Sequence, residues 1–178
     1  MSGTKKTYNF DSKNYFEFFN IEEKFAISVR SLTAHYKKVV ALLSNDTSFV
    51  ARERLSFAGR AYHTLLNPIE RARYLVQMHG VDADFHDSIL PQDMQVAHEF
   101  RNELSELTTE EEVDIFQHTL KEQSDFIVDS IQVSIDVNKD YEIASGLICR
   151  FYELQEIYQE SKDKKRQIKD GIVFVNFQ

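Results

Sequence analysis

The stretch Ala61-Tyr62-His63-Thr64-Leu65-Leu66-Asn67-Pro68-Ile69-Glu70-Arg71-Ala72-Arg73-Tyr74-Leu75-Val76-Gln77-Met78-His79-Gly80 leaves this chain few ways to fold. It reads as the end of one helix, a one-residue break and a second complete helix. Asn67 is an N-cap, because its side-chain oxygen can accept a first-turn amide that has no partner inside the helix. Pro68 then takes the first helical position, where its missing N–H costs nothing. Ala72, Leu75, Val76 and His79 recur at helical spacing, and Gly80 can take the left-handed conformation that closes the helix.

The rest of the chain has the same character. Five glycines and two prolines in 178 residues suit helices joined by short connections. Ser28 is placed to N-cap a helix running to about Leu43, with Leu32, Tyr36, Val39, Val40 and Leu43 as its buried stripe and Arg30, Lys37 and Lys38 off that stripe. After the polar loop Ser44-Asn45-Asp46-Thr47-Ser48, a third helix from about Val50 to Leu66 puts Leu55, Ala58, Tyr62 and Leu65 on one face. Neither helix can bury its stripe alone, so the pair predicts an antiparallel hairpin.

Beyond Gly80 the chain reads as a connection, and a helix is predicted over Pro91–Leu107. Thr108 and Thr109, each with Glu three residues on, offer a capping box for a long helix with Val113, Phe116, Leu120, Ile127 and Ile131 on one side, reaching Ile135. The pattern restarts at Asn138. Leu147, Phe151, Leu154 and Tyr158 line a final helix that fades into Lys162-Asp163-Lys164-Lys165-Arg166. The expected fold is all-α, with an N-terminal antiparallel helical hairpin and a C-terminal three-helix bundle. Its expected divisions are a leader over 1–13, the hairpin unit over 14–80, a linker over 81–90, the bundle over 91–168 and an apolar tail over 169–178.

Several functions are disfavoured by composition and motif. A formal charge of -8 argues against nucleic-acid binding, which needs cations to replace condensed counterions. The single cysteine, Cys149, rules out an internal disulfide framework and suits a small buried hydrophobe. No apolar run is long enough to span a bilayer and no secretory segment develops, so a cytoplasmic location is expected. His79, Asp84, His86 and Asp87 are close in sequence but form no metal-binding pattern, and no phosphate loop or nucleophile elbow occurs. Neither a cofactor nor an enzymatic activity is expected.

The residues A-Y-x-T-L-x-x-P-x-x-R-A-x-Y-L-x-x-x-H-G within 61–80 resemble the junction between the J-domain and the C-terminal domain of the HscB family, co-chaperones of iron–sulfur cluster assembly. The opening Tyr15-Phe16 and Phe18-Phe19-Asn20-Ile21 resembles that family's Y-F-x-x-F-G-L, with Asn20 in place of Gly. Asn tolerates left-handed backbone, so the turn survives the change. The resemblance covers roughly residues 15 to 160 and implies that the hairpin is J-domain-like.

The resemblance implies two binding sites. In a J-domain the loop between the hairpin helices carries His-Pro-Asp and engages an HscA/DnaK-type chaperone ATPase. Aligned from Tyr15-Phe16, this chain has Ser44-Asn45-Asp46 there, and only the Asp matches. The loop is open to two readings, an ordinary turn or a weakened chaperone contact. Arg30, Lys37 and Lys38 correspond to the basic face that a J-domain offers to the chaperone. Met94-Gln95-Val96-Ala97-His98-Glu99-Phe100-Arg101-Asn102-Glu103-Leu104-Ser105-Glu106 resembles the family's L-M-E-Q-L-E-L-R-E-E-L-D-E, which docks the iron–sulfur scaffold protein together with an aromatic of the last helix. Met94, Glu99 and Glu106 keep the chemical types, Gln95, His98 and Asn102 depart, and Phe151 matches the aromatic. A solvated acidic helix face is the alternative, and the resemblance favours docking.

The implied function is a co-chaperone that presents a scaffold protein to the ATPase. The alternative is a scaffold-binding adaptor that has lost ATPase stimulation.

Overall fold

The computed structural model describes residues 8–81 and 91–171, without the side chains of residues 91–94. Most of the expected leader and linker, and the apolar run from Ile172 to Phe177, lie outside the described residues. The described chain forms α1 (Tyr15–Phe19), α2 (Val29–Leu43), α3 (Phe49–Leu66), α4 (Pro68–Met78), α5 (Pro91–Glu106), α6 (Glu110–Gln132), a π-helical turn (Val133–Asn138) and α7 (Tyr141–Lys169). The fold is all-α, with an N-terminal helical unit followed by a C-terminal bundle, as the sequence predicts.

Local chemistry fixes where most helices begin and end. Asn67 Oδ1 accepts the amides of Ile69 and Glu70 at 2.9 and 3.2 Å, with Pro68 opening α4. At its other end, Gly80 has φ 78°. The amide of Gly80 reaches Gln77 O at 3.1 Å and that of Val81 reaches Val76 O at 3.3 Å, which satisfies two final-turn carbonyls. Asn20 closes α1 by the same device, with φ 52° and ψ 50°. Ser28, Ser48 and Thr109 cap α2, α3 and α6, and Thr109 forms a reciprocal capping box with Glu112.

The N-terminal core is built from rings. Phe16, Phe18 and Phe19 are fully buried with Leu32 and Leu65. Tyr15 stacks on Tyr74 and Tyr36 on Tyr62, each pair with centroids 4.3 Å apart. In the bundle, Leu120, Ile127, Ile131, Ile148 and Ile157 fill the space between α6 and α7. These two helices run antiparallel: Gln117 meets Ser161 at 2.9 Å, and Gln155 reaches back to Ser124 at 3.4 Å. α5 lies along α7, where Arg101 sits among Glu153, Glu156 and Glu160 at 3.4, 3.7 and 3.1 Å.

The structure corrects several expected boundaries. The α-helix expected to reach Ile135 ends at Gln132 and continues as the π turn. The last helix is capped by Asp140 rather than restarting at Asn138, because Lys139 takes the left-handed conformation at φ 56°. It continues through the basic run to Lys169. Along α7 only Leu154 of the expected stripe is fully buried, while Leu147, Phe151 and Tyr158 are half-buried. Ala144, Ile148, Ile157 and Ser161 form the deeper line. His79 is not on the buried stripe of α4; it lies at the surface, stacked on Tyr141 at 3.8 Å.

The two units meet through α4, which packs on α7 as well as on α3. The π turn adds a clasp. Asp136 accepts the amides of Phe25 and Ala26 at 2.7 and 2.8 Å, across more than a hundred residues of sequence. Arg71 is buried beneath, its guanidinium 4.9 Å from the Phe25 ring centroid and donating to Leu65 O. The extra residue of a π turn turns side chains away from the α-helical register. Here it accompanies an acidic side chain aimed at two backbone amides.

Candidate functional site

The loop between α2 and α3 is built by its own polar residues. Ser44 ends α2 in right-handed helical conformation, its amide bonded to Val40 O at 2.9 Å and its hydroxyl donating to the same carbonyl. The Asp46 amide bonds to Leu43 O at 3.1 Å, and its carboxylate accepts the Ser48 amide at 2.8 Å. That bond holds the Asp46 carboxyl below its ordinary pKa, helped by the Ser48 side chain. Ser44, Asn45 and Asp46 are all exposed. So are three apolar neighbours, Leu42, Phe49 and Val50, which surround the loop with unpartnered hydrophobic surface.

Arg30, Lys37 and Lys38 are exposed on α2. Arg30 and Lys37 are seven residues apart and so lie on one line of the helix, with Lys38 beside them. The hairpin therefore offers a basic flank and a polar tip with an apolar rim.

On α5, Ala97 and Leu104 are buried and Phe100 packs edge-on against Phe116 at 6.0 Å. The opposite side brings together Gln95, His98, Glu99, Asn102 and Glu106, all exposed. Gln95 donates to Glu99 at 3.1 Å, which holds one carboxylate in place one turn away. The Met94 side chain lies outside the described residues. Phe151 stands apart from this face. It is half-buried and lines a cleft of about 250 Å³ between α6 and α7 with Leu120, Ser124, Gln155 and Tyr158. On α7 it lies on the side opposite Glu153, Glu156 and Glu160, the residues that meet α5.

Sequence reading did not anticipate the Asp136 clasp, the burial of Arg71 or the apolar rim of the loop. Asp136 sits between Ile135 and Val137, and only knowledge of the π turn separates it from an ordinary surface carboxylate. The exposed Leu42 was readable, since it falls off the α2 stripe. Among the described residues, no three His, Cys, Asp or Glu side chains are grouped to hold a metal ion. Asp84, His86 and Asp87 lie outside them. His79 instead pairs with Glu23 at 3.1 Å. No described helix is long and apolar enough to cross a membrane.

No family model matches the chain. It is similar to a co-chaperone protein HscB homolog of Neisseria gonorrhoeae, 33% identical over 102 residues, covering 52% of this chain and 61% of that protein. The chain thus spans about three fifths of the length of the first curated relatives that it matches. A homolog from Bordetella avium is 25% identical over 158 residues, covering 83% of this chain and 94% of the relative. Among solved structures, human co-chaperone HscB superposes with a TM-score of 0.74 at 19% identity over 86% of this chain and 83% of that one. Chaperone HscB from Vibrio cholerae gives 0.71 at 19% identity, over 90% and 99%. The Jac1 co-chaperone of Saccharomyces cerevisiae gives 0.70 at 21%, over 85% and 96%. The architecture is that of HscB and Jac1.

Proposed function

We propose that the chain is an HscB-type J-domain co-chaperone in iron–sulfur cluster biogenesis, which binds a cluster scaffold protein on its bundle and presents it to an HscA/DnaK-type ATPase. The observation that carries this reading is the shared two-unit fold, extending over most of this chain and of the HscB and Jac1 structures alike. On that frame the exposed side of α5, with His98, Glu99, Asn102 and Glu106, faces the scaffold protein, and Met94 is assigned to the same contact by its match to the family sequence. An acidic helix face suits a basic, partly apolar partner. Phe151 contributes from the neighbouring α6–α7 cleft rather than from the same helix face. Arg30, Lys37 and Lys38, with the loop Ser44-Asn45-Asp46, meet the ATPase. Delivery and ATPase stimulation require no bond-making by the chain's own side chains.

A second reading, an adaptor that holds the scaffold without stimulating the ATPase, is favoured by the loop. Its Asp46 carboxylate already accepts the Ser48 amide, and neither the ring nor the fixed φ of His-Pro-Asp is present. ATPase turnover measured with and without the chain, beside a scaffold pulldown, separates the readings. Stimulation that Asp46→Ala abolishes supports the first. Scaffold capture without stimulation selects the second. Response from neither partner overturns both.

A further inference from the structure

The face of α6 turned away from the bundle carries an exposed apolar line. Ile115, Phe126, Val133 and Val137 are 64%, 67%, 49% and 72% exposed. The separations of eleven and seven residues return Ile115, Phe126 and Val133 to nearly the same side of α6, and Val137 follows about one wider turn later within the π turn. The stripe therefore runs about 27 Å from Ile115 to Val133 at 1.5 Å per residue, and continues into the π turn. The buried side chains Val113, Phe116, Leu120, Ile127 and Ile131 occupy the other side. A single exposed apolar residue is ordinary, but four in register are not.

The charges beside this line select its occupant. Glu111, Asp125 and Asp129 are exposed along one edge and Glu122 lies on the line between Ile115 and Phe126, while Glu112, Thr119, Gln123 and Ser130 follow the other edge. Glu122 has His118 at 3.6 Å. Lys121 stands beyond the first edge. A second copy of the chain would bring these carboxylates to its own, in a molecule of net charge -8. A basic amphipathic helix matches both features, placing apolar side chains along the stripe and Lys or Arg against the carboxylates.

We propose that the outer face of α6 and the π turn docks a basic amphipathic helix of a partner protein, the apolar contact being made by Ile115, Phe126, Val133 and Val137. This surface is separate from the α5 face and from the α2–α3 loop, so it does not depend on the function assigned to either.

The test uses a labelled synthetic peptide of about eighteen residues, long enough to form a helix, with Leu and Lys at amphipathic spacing. A Leu-Glu counterpart serves as control. Fluorescence anisotropy should show salt-sensitive binding of the Leu-Lys peptide alone, with amide shifts along α6. Phe126→Ser with Val133→Ser should weaken it by about tenfold or more. Asp125→Lys with Asp129→Lys should weaken the Leu-Lys peptide and strengthen the Leu-Glu peptide, whereas Glu99→Gln with Glu106→Gln should change neither. Circular dichroism checks that these exposed changes leave the fold intact. Binding unmoved by the α6 variants, or lost with the α5 variant, overturns the proposal. A wild-type dimer that Phe126→Ser dissolves also overturns it, because a second copy would then be the occupant.

Discussion

The two halves of the molecule solve the same packing problem with different side chains. The N-terminal half, with no helix longer than 18 residues, fills its core with rings: Phe16, Phe18 and Phe19 from α1, with Tyr36, Phe57, Tyr62 and Tyr74 around them. Rings bury a large area per residue and lock by stacking, so even the five-residue α1 is held. The C-terminal half has helices of 23 and 29 residues and relies on Leu and Ile meeting along their length. The candidate contacts differ accordingly. One is a loop set by Asp46 and Ser48, and the other is the exposed face of α5. The geometry of the loop depends on backbone detail, whereas that of the helix face depends on spacing.

The largest expected effect tests whether these halves unfold together. Phe18→Ala empties a fully buried site and should cost about 3–5 kcal/mol, and Ile157→Ala about 2–5 kcal/mol. Because α4 packs on both α3 and α7, both variants should shift one urea transition followed by circular dichroism. Two transitions, each moved by only one variant, would show that the halves are independent.

A smaller effect belongs to the clasp. Asp136→Ala removes two charge-assisted bonds to Phe25 and Ala26, and should cost about 2 kcal/mol. Hydrogen exchange at those two amides should rise while exchange in the middle of α6 keeps its wild-type order. Unchanged protection at Phe25 and Ala26 would mean that the loop holds itself without the bundle.

The contrast also explains what could be read from the sequence. The helices and most of their ends were legible, because Asn67, Pro68, Gly80, Ser28 and Thr109 act through their own backbone neighbourhood. Stripes on α2, α3 and α6 were legible for the same reason, since one periodicity governs each. Where a helix touches several partners, as α7 touches α4, α5 and α6, its buried residues wrap around it and no single stripe describes it. That is why the stripe read from the sequence leaves out Ile157 and Ser161, which are buried. The clasp was illegible because nothing local distinguishes Asp136; its bonds are made by residues more than a hundred positions away. His98, Glu99, Asn102 and Glu106 share the exposed side of α5, but whether a protein docks there depends on another molecule.

A still smaller effect concerns the α1 turn, where Asn20 stands in the left-handed region. Asn20→Ala should cost about 1 kcal/mol, because a Cβ without a compensating local polar group is strained there. Asn20→Gly should stay within about 0.5 kcal/mol of wild type, relief of strain being offset by a more flexible unfolded chain. Thermal unfolding of the two variants, compared at equal ionic strength, gives the difference. Equal losses would locate the role of Asn20 in its side chain rather than in its backbone.

The subtlest test addresses the polar seam between the halves, where the Tyr152 hydroxyl donates to Glu70 at 2.8 Å. Burial, and then the neighbouring Glu70 carboxylate, push the Tyr152 pKa from 10.0 up to about 12. The folded state thus keeps a proton that the unfolded state releases earlier. The resulting stability is complete below pH 10 and is lost as the pH rises towards about 12. Tyr8, Tyr74 and Tyr141 are also shifted upward, first by burial, so the wild-type curve alone cannot be assigned to one residue. The difference between wild type and Tyr152→Phe isolates it. Tyrosinate absorbance should lose one late-titrating group in the variant, and the alkaline fall in unfolding midpoint should become shallower over the same interval. If both curves superpose, the Tyr152–Glu70 bond contributes nothing to the seam, and packing of α4 on α7 holds the halves without it.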